Sequence, residues 1–233
     1  MAPLDNAHRA VRRLLASESE PDADLTDRLP VLEFGGGVDR PVLDATSPIP
    51  SLYRVFAFVD VCGFTGFTDR YGAHAATHKL TRFRAICRDV TVRRGVRVAK
   101  WLGDGVMLVG TSAGPVIATV AELFLRFDSE DIDIHAGIAA GTVLLFEGDD
   151  YIGRPVNLAA RLCEAAAANE ILASGLDDAL PQWVERQGSV TVRAVGIGDV
   201  PGVSQLRATA DAWLEVPTTP TAGLALVDPA GDD

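Results

Sequence analysis

The chain has 233 residues, 48% of them apolar and 23% charged, a balance able to bury a real core, so a wholly disordered protein is excluded. Its 21 basic residues against 32 acidic ones leave a formal charge of −11, the wrong sign for a protein held to DNA or anionic lipid by its overall field. Any polyanionic ligand must be met locally. Residues 1–50 hold nine acids against five bases and residues 211–233 hold five acids and no base, so the middle is nearly balanced. The length fits one domain with extensions: an N-terminal extension over 1–50, a domain over 51–210 and an acidic, disordered tail over 211–233.

In chain order, residues 7–16 have the spacing of one short amphipathic helix, with Val11, Leu14 and Leu15 on its apolar side. A polar stretch rich in Ser, Asp and Pro follows, and the extension reads as flexible or loosely docked. Leu52 to Val61 is almost continuously apolar and β-branched or aromatic, the pattern of a buried central strand that stops near Asp60. Leu80, Phe83, Cys87 and Val90 recur at helical spacing, and Gly95 supplies a stop. Val96 to Gly110 reads as two strands around Gly103-Asp104-Gly105. A second helix is marked by Val116, Val120, Leu123, Phe124 and Phe127, a strand region by Ile132 to Leu145, a third helix by Pro155 as its first residue, and a short strand by Ile171 to Ala173. The order β-α-β-β-α-β predicts an α/β, ferredoxin-like sandwich with an antiparallel-rich sheet.

Three widely spaced cysteines, Cys62, Cys87 and Cys163, form no CxxC pair and suggest neither a disulfide framework nor a zinc site. The N-terminus lacks the apolar stretch of a signal peptide. The longest uncharged run, Gly105 to Ala121, falls short of the roughly 20 apolar residues of a spanning helix. The expectation is a soluble, cytoplasmic protein that binds neither membrane nor nucleic acid.

Two aspartates lie where strands stop, Asp60 after Phe56-Ala-Phe-Val59 and Asp104 at the hairpin tip. Each alone reads first as an ordinary turn residue. Together, in such a fold, they form a carboxylate pair suited to Mg²⁺ or Mn²⁺, hard cations that share oxygen ligands with substrate phosphates. Asn157 and Arg161 stand four apart, on one face of the third helix, where an amide and a guanidinium can hold a ribose and a phosphate. Many ordinary helices also show such pairs.

Four segments, in order, resemble the signature segments of the class III nucleotidyl cyclase catalytic domain: Phe58-Val-Asp-Val-Cys-Gly-Phe-Thr65, Lys100-Trp-Leu-Gly-Asp-Gly105, His135-Ala-Gly-Ile-Ala-Ala-Gly141 and Asp150-Tyr-Ile-Gly-Arg-Pro-Val-Asn-Leu-Ala-Ala-Arg161. The resemblance covers about residues 51–210 and implies the class III cyclase fold and a homodimer with two shared sites. It also implies attack of a nucleoside triphosphate's 3′-hydroxyl on its own α-phosphorus, promoted by two Mg²⁺ or Mn²⁺ ions per site. Matched residue by residue, it makes Asp60 and Asp104 the metal ligands, Arg161 the transition-state arginine and Asn157 the ribose-orienting residue. Lys100 and Asp150 match the base-reading pair selective for adenine; GTP-selective members usually carry Glu and Cys there. In each site Asp60 and Asp104 of one chain face Lys100, Asp150, Asn157 and Arg161 of the other. ATP is therefore the favoured substrate. A cyclase of GTP or a pyrimidine nucleotide, and a non-catalytic nucleotide-binding regulatory module, are the alternatives.

Lys100 is one of only two lysines, with Lys79, among 19 arginines, as a site where a forked guanidinium will not serve would require. His74 and His78 are four apart without a third ligand, and read as a solvated face. The run Lys79, Arg82, Arg84, Arg88, Arg93, Arg94 and Arg97 reads as a solvated basic face. Cys62 reads as a small buried residue rather than a redox sensor. There is no GxxxxGK[ST] loop and no GxGxxG after a strand.

Overall fold

A computed structural model describes residues 51–209 except 129, 131, 147–149 and 177–179. The expected helix over 7–16, the rest of the extension and the acidic tail lie outside the described residues. In chain order the domain runs β1 (Ser51–Val61), α1 (Phe64–Arg94), β2 (Arg97–Leu102), β3 (Gly105–Gly110), α2 (Ala113–Asp128), β4 (Ile134–Phe146), β5 (Asp150–Ile152), α3 (Arg154–Ala165), β6 (Ile171–Ser174), β7 (Val184–Ala194) and β8 (Gly198–Ala208).

The sheet order is β2-β3-β1-β4-β6-β8-β7, with β5 paired to β4. Its first four strands have the ferredoxin-like arrangement that the β-α-β-β-α-β order predicts. Every pairing is antiparallel except β4 with β6. β1 lies between β3 and β4 and is buried without a break from Val55 to Val61, which is why its sequence is a continuous apolar run rather than an alternation.

The side chains of β1 alternate between two cores. Val55, Ala57, Val59 and Val61 pack with Phe83, Ile86, Cys87 and Val90 of α1 and with Val116, Val120, Leu123 and Phe127 of α2. Phe56 and Phe58 point the other way, toward Val156, Ala159, Leu162 and Cys163 of α3. Asp60 shares the parity of Phe56 and Phe58, so it belongs to the α3 face.

α3 lies close against the sheet because β4 has no side chain at Gly137, where a Cβ would stand 2.2 Å from both the Ala159 carbonyl oxygen and the Cys163 amide nitrogen. Both of those are backbone atoms and cannot swing aside. Gly137→Ala is expected to lower stability by about 2–3 kcal/mol, as overpacking does, with a matching fall in the urea midpoint. An unchanged midpoint would contradict this account of how α3 docks.

The first helix begins sixteen residues before the first periodic position read from the sequence, and it is interrupted at Gly72, with φ 82°. Its end is as expected: Gly95, with φ 67°, turns its amide back to the carbonyls of Thr91 and Val92. The third helix starts at Arg154, placing Pro155 in its first turn. The long hairpin of β7 and β8 has no counterpart in the sequence reading, because its strands are mostly polar and half-exposed.

The reading of the basic run as a solvated face is corrected. Arg82 pairs with Glu130, Arg93 and Arg94 pair with Glu122, and the guanidiniums of Arg84 and Arg88 lie 5.2 and 5.1 Å from the Trp101 ring. Their partners come from the hairpin, from α2 and from the segment just after it, which helix periodicity does not reveal. His74 and His78 are exposed, as expected. Among the described residues no helix is long and apolar enough to cross a membrane.

Candidate active site

The connection between β2 and β3 is a two-residue turn with Gly103 first, at φ 75°, followed by Asp104. Positive φ at that first position suits glycine. The turn closes with Leu102 opposite Gly105, and Gly105 is in turn opposite Asp60 on β1. Hairpin register therefore carries Asp104, 2% exposed, to the end of the strand that holds Asp60, 8% exposed. A Cβ at Gly105 would come within 2.7 Å of Asp60 Oδ1 and 3.2 Å of the Val59 carbonyl oxygen, so the absent side chain leaves the space in which this carboxylate sits.

Asp60 Oδ1 is buried and accepts no hydrogen bond. A buried carboxylate oxygen left without a donor is costly unless a cation completes it. Asp60 lines a cavity of about 20 Å³ together with Phe58, Leu102, His135, Cys163 and Glu164, room for about one water-sized occupant. Among the described residues there is no group of three or more His, Cys, Asp or Glu that could hold a metal by itself. Two buried carboxylates without a complete cage fit Mg²⁺ or Mn²⁺, which take one or two carboxylates and fill their remaining positions with water and phosphate oxygens.

The sequence assigns no role to His135. It stands opposite Asp60 across the β1–β4 pair, where its Nε2 lies 3.5 Å from Asp60 Oδ2 and its Nδ1 lies 3.1 Å from the Ala166 carbonyl oxygen. Burial works against its charged form, but the hydrogen bonds to Asp60 and Ala166 and the charges of Asp60 and Asp104 outweigh it and raise its pKa. Only the register reveals this partner. Cys62 is half-buried; loss of water, reinforced by Asp133 and Asp60, pushes its thiol up to about 11. That keeps it protonated and argues against a redox sensor, while its half-buried position corrects the reading of Cys62 as a buried residue.

On the same sheet face, Lys100 stands opposite Met107, which packs in the α3-side core. The Lys100 ammonium donates to Asp150 Oδ1, so two residues fifty apart in the chain meet. On α3, Val156, Ala159, Ala160 and Cys163 are buried while Asn157, Arg161 and Glu164 are only partly covered, as one helix with one apolar side dictates. Arg161 Nη1 donates to Glu164 Oε2 at 2.7 Å, with side chains 13% and 21% exposed. Glu164 is a residue the sequence reading missed, although its spacing of three from Arg161 could have suggested it.

No protein-family model matches the chain. An uncharacterized protein of Mycobacterium tuberculosis is 40% identical over 129 residues, covering 54% of this chain and 34% of that one. The pH-sensitive adenylate cyclase of the same species is 32% identical over 148 residues, covering 62% and 37%. An adenylate cyclase of Streptomyces coelicolor is 33% identical over 117 residues, covering 49% and 30%. The chain thus spans about a third of the length of the curated relatives it matches. Among solved structures, the catalytic core of a rhodopsin-guanylyl cyclase with converted specificity, in complex with ATPαS, matches at TM-score 0.60 and 18% identity, covering 69% of this chain and 99% of that one. The adenylyl cyclase CyaB from P. aeruginosa matches at TM-score 0.57 and 22% identity, covering 70% and 96%. Taken with the topology and the residues gathered under α3, these likenesses establish that the described domain has the class III adenylate/guanylate cyclase catalytic fold.

Proposed function

We propose that the protein is an adenylate cyclase that converts ATP to 3′,5′-cyclic AMP and pyrophosphate, working as a homodimer with two shared sites. The observation that carries the reading is one sheet face that holds the buried carboxylates Asp60 and Asp104, the Lys100–Asp150 pair and, on the helix above it, Asn157 and Arg161. In the reaction the ribose 3′-oxygen bonds to the α-phosphorus, the bond from that phosphorus to the bridging oxygen breaks, and pyrophosphate leaves while the hydroxyl proton passes to water. Two Mg²⁺ or Mn²⁺ ions bound through Asp60 and Asp104 would supply the positive charge that eases deprotonation and departure.

The chain's own groups provide the rest. His135, close to Asp60 Oδ2, fixes the orientation of that carboxylate. Arg161 offers guanidinium donors to charge that grows on the α-phosphate, where charge stabilisation acts on rate, and Asn157 orients the ribose. The Lys100 ammonium donates to adenine N1 while Asp150 accepts from the 6-amino group. Guanine presents a donor and an acceptor in the reverse positions and would leave both protein groups wrongly paired.

The test is mass-spectrometric identification of products from ATP, GTP, CTP and UTP in Mg²⁺ and in Mn²⁺, with Asp104→Ala as control. Cyclic AMP that vanishes in the control is the expected result. A different cyclic nucleotide would overturn the base assignment, and no product from any nucleotide would favour a binding module. Because both adenylyl and guanylyl cyclases share this fold, base choice needs its own check. The Lys100→Glu, Asp150→Cys double variant is expected to shift the ratio of kcat/KM for ATP over GTP by roughly 10²-fold toward GTP. An unchanged ratio would remove these residues from base recognition.

A further inference from the structure

β2 contains an irregularity: Val98 stands opposite Leu108 of β3, but Lys100 stands opposite Met107, so Ala99 has no partner of its own. Two residues three apart on a regular strand face opposite sides. With one extra residue between them, Arg97 and Lys100 share a side, Arg97 opposite Val109 and Lys100 opposite Met107, and both of those partners pack in the α3-side core.

On that side the two basic residues meet consecutive residues of β5. Lys100 pairs with Asp150, as described. Arg97 Nη2 donates to the Tyr151 hydroxyl at 2.9 Å, and its guanidinium carbon lies 5.6 Å from the Tyr151 ring centroid. The same ring meets Phe56, a fully buried residue of β1, edge-on at 5.2 Å between centroids. Among the described residues β5 is three residues long and pairs only with β4. The backbone ladder by itself is therefore a weak constraint on where Asp150 sits.

We infer that Arg97 and Tyr151 are specificity-determining positioning residues: they brace β5 against the bulged strand so that the Asp150 carboxylate is held at the spacing from Lys100 that one purine edge requires. The inference rests on the base-reading assignment of Lys100 and Asp150. Its physical basis is that a carboxylate on a short strand discriminates between a donor and an acceptor only when its position is fixed; a carboxylate free to move lets water satisfy the mismatched groups and loses selectivity. The Tyr151 ring supplies apolar anchorage on Phe56 and its hydroxyl supplies direction through Arg97.

The experiment measures binding of 3′-deoxy-ATP and 3′-deoxy-GTP, which lack the attacking hydroxyl, to the full chain with Mn²⁺ by calorimetry. It compares wild type with Tyr151→Phe, Tyr151→Ala, Arg97→Gln, Arg97→Lys and Lys100→Ala, after circular dichroism shows each to be folded. Expected is an adenine preference in wild type that falls about tenfold in Tyr151→Ala and about threefold in Tyr151→Phe and Arg97→Gln, as loss of a supporting contact does. Arg97→Lys, which keeps a cation over the ring, should recover part of the loss. If Lys100→Ala abolishes the preference while the Tyr151 and Arg97 variants keep it, or if they weaken both nucleotides equally, the brace is overturned and the base-reading pair stands. If wild type shows no preference, or Lys100→Ala leaves it unchanged, the base-reading assignment fails and the brace falls with it.

Discussion

Asp60→Ala and Arg161→Ala proteins, each expected to form cyclic nucleotide roughly 10²- to 10³-fold more slowly than wild type, should regain activity when mixed. The loss in the first follows from removing a buried oxygen donor at the cation site, and in the second from removing charge stabilisation at the α-phosphate; either contribution is commonly worth a few kcal/mol. Recovery follows from symmetry. In a two-fold dimer whose sites take Asp60 from one chain and Arg161 from the other, a mixed dimer concentrates both defects in one site and leaves its second site intact. Random exchange makes half the dimers mixed, so the ceiling is about a quarter of wild-type activity. Within one chain Arg161 is held by Glu164, a contact that the Asp60→Ala partner retains and brings to the intact site. Recovery is to be assayed after mild denaturant exchange of subunits, with Asp60→Ala mixed with Asp104→Ala as the control that should not recover. Absence of recovery in the first mixture under conditions where labelled subunits exchange would sink the shared-site arrangement.

Glu122→Ala is expected to lower stability by about 3–5 kcal/mol, a large share of the roughly 5–15 kcal/mol that holds a typical domain folded. The Glu122 side chain is fully buried in the middle of α2. Its two oxygens accept from Arg93 Nη2 at 2.7 Å and Arg94 Nε at 2.7 Å, both in the last turn of α1, and Arg126 Nη2 lies 3.5 Å away. The cost of burying this carboxylate is met only while those guanidiniums surround it, and removing it leaves their positive charges crowded at one helix end. The helix dipole at the end of α1 favours cations there but by at most about 2 kcal/mol each, less than the cost of leaving them crowded and unpaired. Glu122→Gln, which keeps the volume and loses the charge, should fall between wild type and Ala. Urea unfolding followed by circular dichroism measures the effect, and a shift below about 1 kcal/mol for Glu122→Ala would mean that the cluster is solvated and contributes little. Since α1 and α2 cover the side of β1 opposite the site, loss of this junction would also loosen the strand that carries Asp60.

Much of this was legible in the chain because it is local. The unbroken apolar run of β1 announces a strand buried on both sides, Gly103-Asp104-Gly105 announces a tight hairpin, and Gly95 ends the first helix as read. The four motif segments identify the fold, and Asp60, Lys100, Asp104, Asn157 and Arg161 lie on or at the ends of the elements expected to hold them, whereas Asp150 lies on β5, a strand with no counterpart in the sequence reading. The parts that were missed depend on pairing across long separations. His135 reaches Asp60 only through the β1–β4 register, and the arginines of α1 find Trp101, Glu122 and Glu130 only when the hairpin and α2 are in place. The break at Gly72 and the mostly polar hairpin of β7 and β8 leave too weak a hydrophobic period to be read.

The amino-acid sequence by itself therefore determined the order of the main elements from β1 to β6 apart from the short β5, the fold class and the residue types available for chemistry, because period, turn residues and motif spacing act over a few neighbours. The tertiary structure alone decided which of those residues touch. A single unpaired residue in β2 turns Arg97 and Lys100 to the same side, and a missing side chain at Gly137 brings α3 down on the face where Asp60 lies. Both effects come from register and close packing, where a shift of one residue reverses the facing of a side chain and two ångströms separate contact from clash.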